Sequence, residues 1–181
     1  MCDTLAQTFK DYRRHDTFAD IVTCLQPKLY AFAHRMLHDH DEAQDVVQEC
    51  MVRIWMHIDK YDADKPFITW VYAICSHLCL DALKQRKRYC PLEDTAVQIR
   101  DTEQAERNLE RKDIDHCLKV ATATLSPKQK LVFTLCELEE LSIAEVCGIT
   151  HLSYLQVKSN RYWAKKSMIK QLKKMGIDGK E

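Results

Sequence analysis

Basic side chains gather at two places along this chain, a distribution that suits the binding of a polyanion. Seven lysines and arginines and no acidic residue lie between Glu145 and Asp178, and a second basic run occupies residues 84–88. Each phosphate that a basic side chain neutralises releases counterions, so two separate patches can make two contacts along one nucleic acid. One basic face alone is more often only solvated surface. Two of them together favour nucleic acid as the ligand.

Acidic side chains gather at a third place. Between Arg35 and Arg53 the chain has no lysine or arginine, and its carboxylates are interleaved with apolar residues at helical spacing. An acidic face beside an apolar stripe can steer a basic partner protein and bury area against it. An ordinary solvated face is the alternative, and the apolar stripe favours a docking surface. The acidic residues of this stretch are Asp39, Asp41, Glu42, Asp45 and Glu49.

Histidine and cysteine pairs could in principle form a metal or redox site. His34 and His38 lie four residues apart, as do Cys75 and Cys79, with His77 between the cysteines. Because a zinc site needs about four converging ligands, buried thiols and surface histidines are the preferred interpretation. The 9 cysteines are odd in number and include no CxxC pair, so they predict no disulfide framework. Sensitivity to oxidation stays open as a hypothesis.

No enzyme signature accompanies these residues. The chain has no glycine-rich phosphate loop, no HExxH and no nucleophile motif. We therefore predict no catalytic residue, no metal, no cofactor and no small-molecule substrate. The first residues lack the apolar core of a secretory signal, and no apolar run approaches the roughly 20 residues of a membrane span. These features predict a cytoplasmic, reducing location without membrane insertion.

The elements that position the charged residues are predicted to be helices. The 181 residues include only 3 glycines and 4 prolines, too few for the many turns of a sheet protein. Apolar residues recur at helical spacing in two stretches. We predict an all-α fold of two small helical domains joined by an acidic linker. The expected boundaries are 1–88 for the first domain, 89–112 for the linker, 113–175 for the second domain and 176–181 for a tail.

Candidate helix ends occur in the first domain. Pro27 is expected to start or kink a helix, because proline disrupts a helix interior. Asp41 is expected to cap the acidic helix, and Thr69 to cap a third helix that ends in the basic run.

The second domain has stronger helix signals. Serine followed by proline at residues 126–127 starts one helix. A short helix over Ser142–Cys147, a tight turn and a last helix over Ser153–Lys166, capped by Ser153, describe a helix-turn-helix. A stand-alone DNA-binding regulator would explain this part of the chain, but it would leave the acidic helix without a task.

These motifs resemble those of the sigma-70 family of bacterial transcription initiation factors. The stretch from Asp41 to Trp55 is similar to the most recognisable motif of region 2, and Phe67–Val71 to a later part of that region. Leu125–Gln129 and Leu141–Val146 are similar to region 4. The order fits the short extracytoplasmic-function (ECF) group, which carries regions 2 and 4 only. The resemblance covers about residues 18–172 and implies promoter-specific transcription initiation together with core RNA polymerase.

The resemblance also implies roles for individual residues. The acidic helix would dock on the clamp coiled coil of the polymerase. The apolar face near residue 131 is expected to be mostly core, and part of it would receive the polymerase flap. The acidic linker would follow the RNA exit path. The candidate polymerase-binding residues are Asp45, Gln48, Glu49, Arg53, Trp55, Leu131 and Leu135.

Two DNA surfaces follow from the same resemblance. One would open the −10 element, where unstacked bases need stacking platforms and a basic groove. Its candidates are Tyr61, Phe67, Tyr72, His77, Lys84, Arg86, Lys87 and Arg88. For Phe67, and for Trp70 nearby, burial in the core is the preferred alternative. The last helix would read the −35 element in the major groove. Its candidates are Ser153, Tyr154, Gln156, Lys158, Ser159, Arg161 and Lys165.

Two differences from the family pattern concern these surfaces. The family often has asparagine at the position of His77. The turn of the helix-turn-helix commonly carries small residues and a glycine, whereas this chain has His151, Tyr154 and Leu155. The family also implies an anti-sigma protein as a further partner.

Overall fold

The described residues form helices joined by short connections. The structure, a computed structural model, describes residues 4, 6–8, 10, 15–89 and 109–176, and within these ranges it has no β-strand. The main helices are α1 (His15–Leu37), α2 (His40–His57), α3 (Phe67–Tyr89), α4 (Leu109–Thr122), α5 (Pro127–Phe133), α6 (Ile143–Thr150) and α7 (Tyr154–Lys174). A 3₁₀ turn (Ile58–Lys60) follows α2, and a π turn (Thr134–Leu138) follows α5. The prediction of an all-α fold is confirmed. The acidic linker lies almost wholly outside the described residues.

The ends of the first three helices differ from their predicted positions. Asp39, not Asp41, is the N-cap of α2, and its carboxylate accepts a hydrogen bond from the Glu42 amide at 3.0 Å. Asp39 has the extended backbone that an N-cap requires, whereas Asp41 is already helical. Thr69 is not a cap either, because its amide donates to the Pro66 carbonyl within the first turn of α3. Pro27 lies inside α1, so no new helix starts there.

The helix starts of the second half agree with their predicted positions. Ser126 and Ser153 are N-caps as expected, and Ser142 caps α6. Each serine forms a capping box. Its hydroxyl accepts a hydrogen bond from the backbone amide three residues later, and the side chain of that later residue accepts one from the serine amide. Two helices extend beyond their predicted ends, α6 to Thr150 and α7 to Lys174.

One apolar core runs through both halves of the molecule. α1, α2 and α3 pack against one another around fully buried side chains such as Phe32 and Ile54. The same core continues into Leu135 and Ile149, because α6 packs against α3. A second, smaller cluster joins α4, α5 and α7 through Ala121, Leu125, Phe133, Ala164 and Met168.

Polar contacts also link the two halves. Glu139 accepts a hydrogen bond from Arg35 at 2.6 Å and another from the Tyr72 hydroxyl at 2.5 Å. His38 and the Thr122 hydroxyl are 2.8 Å apart. The helices on either side of the linker therefore contact each other extensively, and the predicted division into two domains stays a prediction.

α3 is the central helix of this core. Its length and composition alone would allow it to cross a membrane. Its apolar face is instead buried against α1, α2 and α6, with Val71, Cys75 and Cys79 inaccessible to solvent. Such burial is typical of the core helix of a globular protein.

Candidate nucleic-acid and partner interfaces

The outward face of α2 combines carboxylates with exposed apolar side chains. Its predicted residues Asp45, Gln48 and Glu49 are exposed. Val52 and Met56 lie on the same face at helical spacing and are 51% and 60% exposed. Neither of these two apolar residues was among the predicted contacts. Large apolar side chains exposed on a helix indicate a surface that another molecule can cover.

Arg53 and Trp55 lie at the edges of this face. Arg53 donates to Glu49 at 2.8 Å, one helical turn away, which fixes its side chain along α2. The Trp55 ring meets Phe18 edge-on, with ring centroids 4.9 Å apart. Trp55 is therefore only partly exposed, and it anchors α2 to α1 while presenting one edge outward.

A groove opens between α2 and α3. It has a volume of about 290 Å³ and is lined by Arg53, His57, Trp70, Ala73, Ile74 and His77. His77 is exposed, and its Nδ1 lies 2.8 Å from the Ala73 carbonyl. The groove thus offers an aromatic ring, two imidazoles and a guanidinium, which are groups that stack on or hydrogen-bond to a nucleobase.

Three predicted stacking residues are buried. Phe67 is inaccessible to solvent, and Tyr61 and Tyr72 are each 3% exposed. The Tyr61 and Phe67 rings pack edge-on at 5.0 Å, and the Tyr61 hydroxyl donates to the Lys65 carbonyl at 2.8 Å. Burial and the bond to Glu139 raise the pKa of Tyr72 far above its usual value. In this conformation the three rings hold the loop and the halves together and cannot stack on a base.

The basic end of α3 divides into one anchored and three solvated side chains. Arg86 donates to Glu42 at 2.6 Å and to the Leu37 carbonyl at 3.2 Å, and so ties α3 to α2. Lys84, Lys87 and Arg88 are exposed and form no ion pair with any described residue. These three side chains carry the positive charge that solvent and polyanions can reach.

α6 and α7 form the helix-turn-helix. The Ser153 hydroxyl accepts from the Gln156 amide at 3.3 Å, and Gln156 Oε1 accepts from the Ser153 amide at 2.9 Å. His151 takes the left-handed conformation at the end of α6, with φ 56°. Histidine is among the non-glycine residues enriched there, so the turn closes without glycine.

The N-terminal part of α7 presents the predicted −35 residues outward. Ser153, Tyr154, Gln156, Lys158 and Ser159 are all exposed. The Lys158 ammonium lies over the Tyr154 ring, 5.5 Å from its centroid. This end of the helix therefore offers hydroxyl, amide and ammonium groups to a duplex.

Arg161 and Lys165 have a partner that the sequence did not reveal. The Glu137 carboxylate accepts from Arg161 Nε, and its other oxygen is 2.8 Å from Lys165 Nζ. These ion pairs lower the pKa of Glu137 despite its partial burial. α7 also exposes Tyr162 and Trp163, which were not predicted as contacts.

The apolar candidates of α5 and the π turn lie in the core. Leu131 is 3% exposed and Leu135 is inaccessible. Both belong to the core cluster that includes α1–α3. They cannot contact a partner while the two halves remain together.

The histidine and cysteine pairs do not form a metal site. Among the residues that the structure describes, no three His, Cys, Asp or Glu side chains converge as ligands. Cys50, Cys75 and Cys79 are buried free thiols. Hydrogen bonding to Cys75 and burial raise the pKa of the Cys50 thiol, which disfavours a reactive thiolate. Cys24, by contrast, is disulfide-bonded, a pairing that the cysteine spacing did not predict.

Known proteins resemble this chain in both sequence and fold. Family models match residues 21–89 as sigma-70 region 2 and residues 115–168 as sigma-70 region 4. The ECF RNA polymerase sigma factor SigW of Bacillus subtilis is 27% identical over 168 residues, which are 87% of this chain and 90% of SigW. The RNA polymerase sigma-H factor of Pseudomonas aeruginosa is 26% identical over 162 residues, 84% of each chain.

Solved structures share the same arrangement of helices. The sigma factor RpoE of Bartonella quintana, solved with the anti-sigma factor NepR, superposes with a TM-score of 0.70 at 22% identity, covering 86% of this chain and 96% of RpoE. CnrH, solved with the cytosolic domain of CnrY, gives a TM-score of 0.72 at 18% identity, covering 94% and 96%. The two family models together span more than half of the chain. The chain therefore belongs to the sigma-70 family and is an ECF-type sigma factor with regions 2 and 4.

Proposed function

We propose that this chain binds core RNA polymerase through α2 and directs initiation at promoters that it selects with α3 and α7. One observation carries the proposal. An exposed acidic and apolar helix face and a basic helix-turn-helix occur in one chain, in the order of sigma regions 2 and 4. The factor supplies recognition, while the polymerase supplies the chemistry. It acts in the cytoplasm, where the polymerase works.

The α2 face is the proposed docking site for the polymerase clamp. Asp45, Gln48 and Glu49 would meet the coiled coil, with Arg53 and Trp55 at the border. Val52 and Met56 add apolar area to the polar contacts. Charge complementarity sets the association rate and orientation, and burial of the apolar side chains adds affinity. A Val52→Asp substitution should abolish this docking without unfolding the chain, because Val52 is half exposed.

The groove between α2 and α3 is the proposed capture site for a −10 base. His77 and Trp70 would flank the unstacked base, and Lys84, Lys87 and Arg88 would neutralise the adjacent phosphates. The imidazole of His77 can donate or accept a hydrogen bond, as its family counterpart asparagine can. Tyr61, Phe67 and Tyr72 contact DNA only if this part of the molecule rearranges.

α7 is the proposed reader of the −35 element. Its N-terminal end would enter the major groove, with Tyr154, Gln156 and Lys158 toward the bases and the Ser153 end of the helix toward a phosphate. Gln156 Nε2 can donate to a base while Oε1 holds the cap. Leu131 and Leu135 would meet the flap after the two halves separate. An anti-sigma protein that covers these surfaces is a further proposed partner.

In-vitro transcription tests the proposal directly. Bacterial core polymerase is combined with a pool of promoter fragments, with and without the chain. Selective initiation is expected only with the chain. It should be lost in Val52→Asp but kept in Asp20→Asn, a change at an exposed position on α1. The chain would instead be a stand-alone regulator if it bound duplex DNA tightly and selectively but did not bind core polymerase, even the cognate enzyme.

A further inference from the structure

Glu137 binds two basic side chains of α7 with one carboxylate. Its Oε1 accepts from Arg161 Nε, and its Oε2 accepts from Lys165 Nζ at 2.8 Å. Arg161 and Lys165 lie one helical turn apart, so the carboxylate spans two adjacent turns of α7. The Glu137 side chain is only 20% exposed, which limits competition from water.

The π turn places Glu137 in this position. The segment Thr134–Leu138 replaces a regular α-helical end and follows α5 directly. Cys136 is buried and Leu138 packs against the second cluster. Glu137 between them is thereby held over α7. Single π turns in helices occur frequently at functional sites.

The remaining basic residues of α7 have no such partner. Within the described residues none of them forms an ion pair, and Lys158 and Lys166 lie over aromatic rings at 5.5 Å and 5.2 Å. The basic side chains of α7 are therefore of two kinds. Arg161 and Lys165 are ion-paired with Glu137, and the others form a solvated set. The solvated set is Lys158, Lys166, Lys170, Lys173 and Lys174.

We propose that Glu137 is a specificity-determining positioning residue, which keeps Arg161 and Lys165 from binding phosphates indiscriminately. Phosphate contacts raise the affinity for every duplex and carry no base information directly, whereas base contacts discriminate. At the selected site the base contacts fix the register of α7, whereas on other duplexes α7 can take any register that improves its phosphate contacts. Withholding two cations therefore lowers non-specific binding more than specific binding. The proposal rests on the proposed role of α7 as the −35 reader. It modifies that role, since Arg161 acts from a fixed position rather than as a mobile phosphate ligand.

The test compares Glu137→Gln with Glu140→Gln in the full chain. Both remove one negative charge, but Glu140 is exposed and forms no ion pair with any described residue. Binding to a labelled non-cognate duplex of about 20 base pairs is followed by fluorescence anisotropy between about 50 and 200 mM salt. One or two extra phosphate contacts should make Glu137→Gln lose about 3- to 12-fold more affinity over this range than Glu140→Gln.

A second substitution tests whether the extra affinity of Glu137→Gln for the non-cognate duplex comes from the released cations. Lys165→Gln added to Glu137→Gln should remove part of the extra salt dependence, since one of the two released cations is gone. Circular dichroism should show the same helix content for all variants. The proposal would be overturned if Glu137→Gln and Glu140→Gln bound the duplex with the same affinity and salt dependence. It would also be overturned if neither variant bound the duplex.

Holoenzyme binding separates this proposal from the function on which it rests. The ratio of affinities for a selected promoter and one with a scrambled −35 element should fall in Glu137→Gln and stay at the wild-type value in Glu140→Gln. A wild-type holoenzyme without any such preference would count against the proposed function. The salt dependence on non-cognate duplex would still decide whether Glu137 withholds its two cations.

Discussion

The two halves of this sigma factor are stabilised in different ways. α1, α2 and α3 have 23, 18 and 23 residues and surround a core of fully buried side chains. α5 and α6 have only 7 and 8 residues, and both begin with a capping box. A short helix leaves most of its backbone amides and carbonyls without intrahelical partners, so its ends matter more. Apolar burial therefore dominates the first half, and local satisfaction of helix ends contributes more to the second.

The largest effect is expected from the core of the first half. Phe32 is inaccessible to solvent and packs edge-on against Tyr72 at 5.2 Å. Phe32→Ala removes this burial and leaves a cavity, which should lower the free energy of unfolding by about 3–5 kcal/mol. Urea denaturation followed by circular dichroism measures the loss. Met56→Ala, at a 60% exposed position, is the control with a change within about 0.5 kcal/mol. Equal losses would mean that Phe32 is not a core residue.

The next effect concerns the contact between the halves. Glu139→Ala leaves the Tyr72 hydroxyl and the Arg35 guanidinium without their carboxylate. Because Tyr72 is buried, the loss should be about 1–3 kcal/mol of unfolding free energy. The same denaturation experiment with Glu140→Ala, an exposed neighbour, should show little change. A Glu139→Ala chain as stable as wild type would show that this carboxylate adds nothing to the contact between the halves.

Acidification should act on the same contact through His38. Burial, reinforced by nearby positive charges such as Lys130, lowers the pKa of His38 to about 3 from about 6.5. The unfolded chain then takes up a proton that the folded chain does not, so stability should fall as the pH drops below about 6.5. Between pH 7.5 and pH 5, this histidine should contribute a loss of about 1–2 kcal/mol. His38→Gln should lose correspondingly less over the same interval, and an identical pH profile would contradict the prediction.

The smallest effect sharpens the description of the second half. Ser142→Ala removes a hydroxyl that accepts a hydrogen bond from the Glu145 amide and donates one to the Glu145 carboxylate. Loss of such a cap costs about 1 kcal/mol. Thermal unfolding compares it with Ser159→Ala, an exposed serine inside α7 that should change the midpoint only slightly. Matching midpoints for the two variants would show that the capping box of α6 adds nothing to stability.

Helix ends were predictable where local chemistry determines them. Serine before proline at residues 126–127 and serine at residue 153 predict the helix starts correctly, because a serine hydroxyl caps a helix with chemistry local to that end. Asp41 and Thr69 do not cap their helices, and no helix starts at Pro27, because these helices are long and fixed by burial. α1 continues through Pro27, since the apolar residues on both sides pack into one core. Local signals are weak where tertiary packing dominates.

Charge and motifs in the sequence predict which surfaces could bind a partner, but they do not predict which side chains pair with one another in the fold. The exposed acidic and basic faces follow from helical spacing and composition. Glu137 and Glu139 gave no signal, because their partners lie 24 to 104 residues away in sequence. The burial of Tyr72 was hidden for the same reason. An aromatic residue on a basic helix has the same local pattern whether it faces DNA or another helix.

The core that both halves share has a thermodynamic consequence for every ligand of this protein. A ligand that fits the closed molecule binds at its intrinsic affinity. A ligand that requires Leu131 and Leu135 to be accessible binds only the open fraction, and its apparent dissociation constant is the intrinsic value divided by that fraction. A substitution deep in the shared core that raises the open fraction therefore strengthens the binding of the second kind of ligand. It leaves the affinity of the first kind nearly unchanged while the closed form remains dominant.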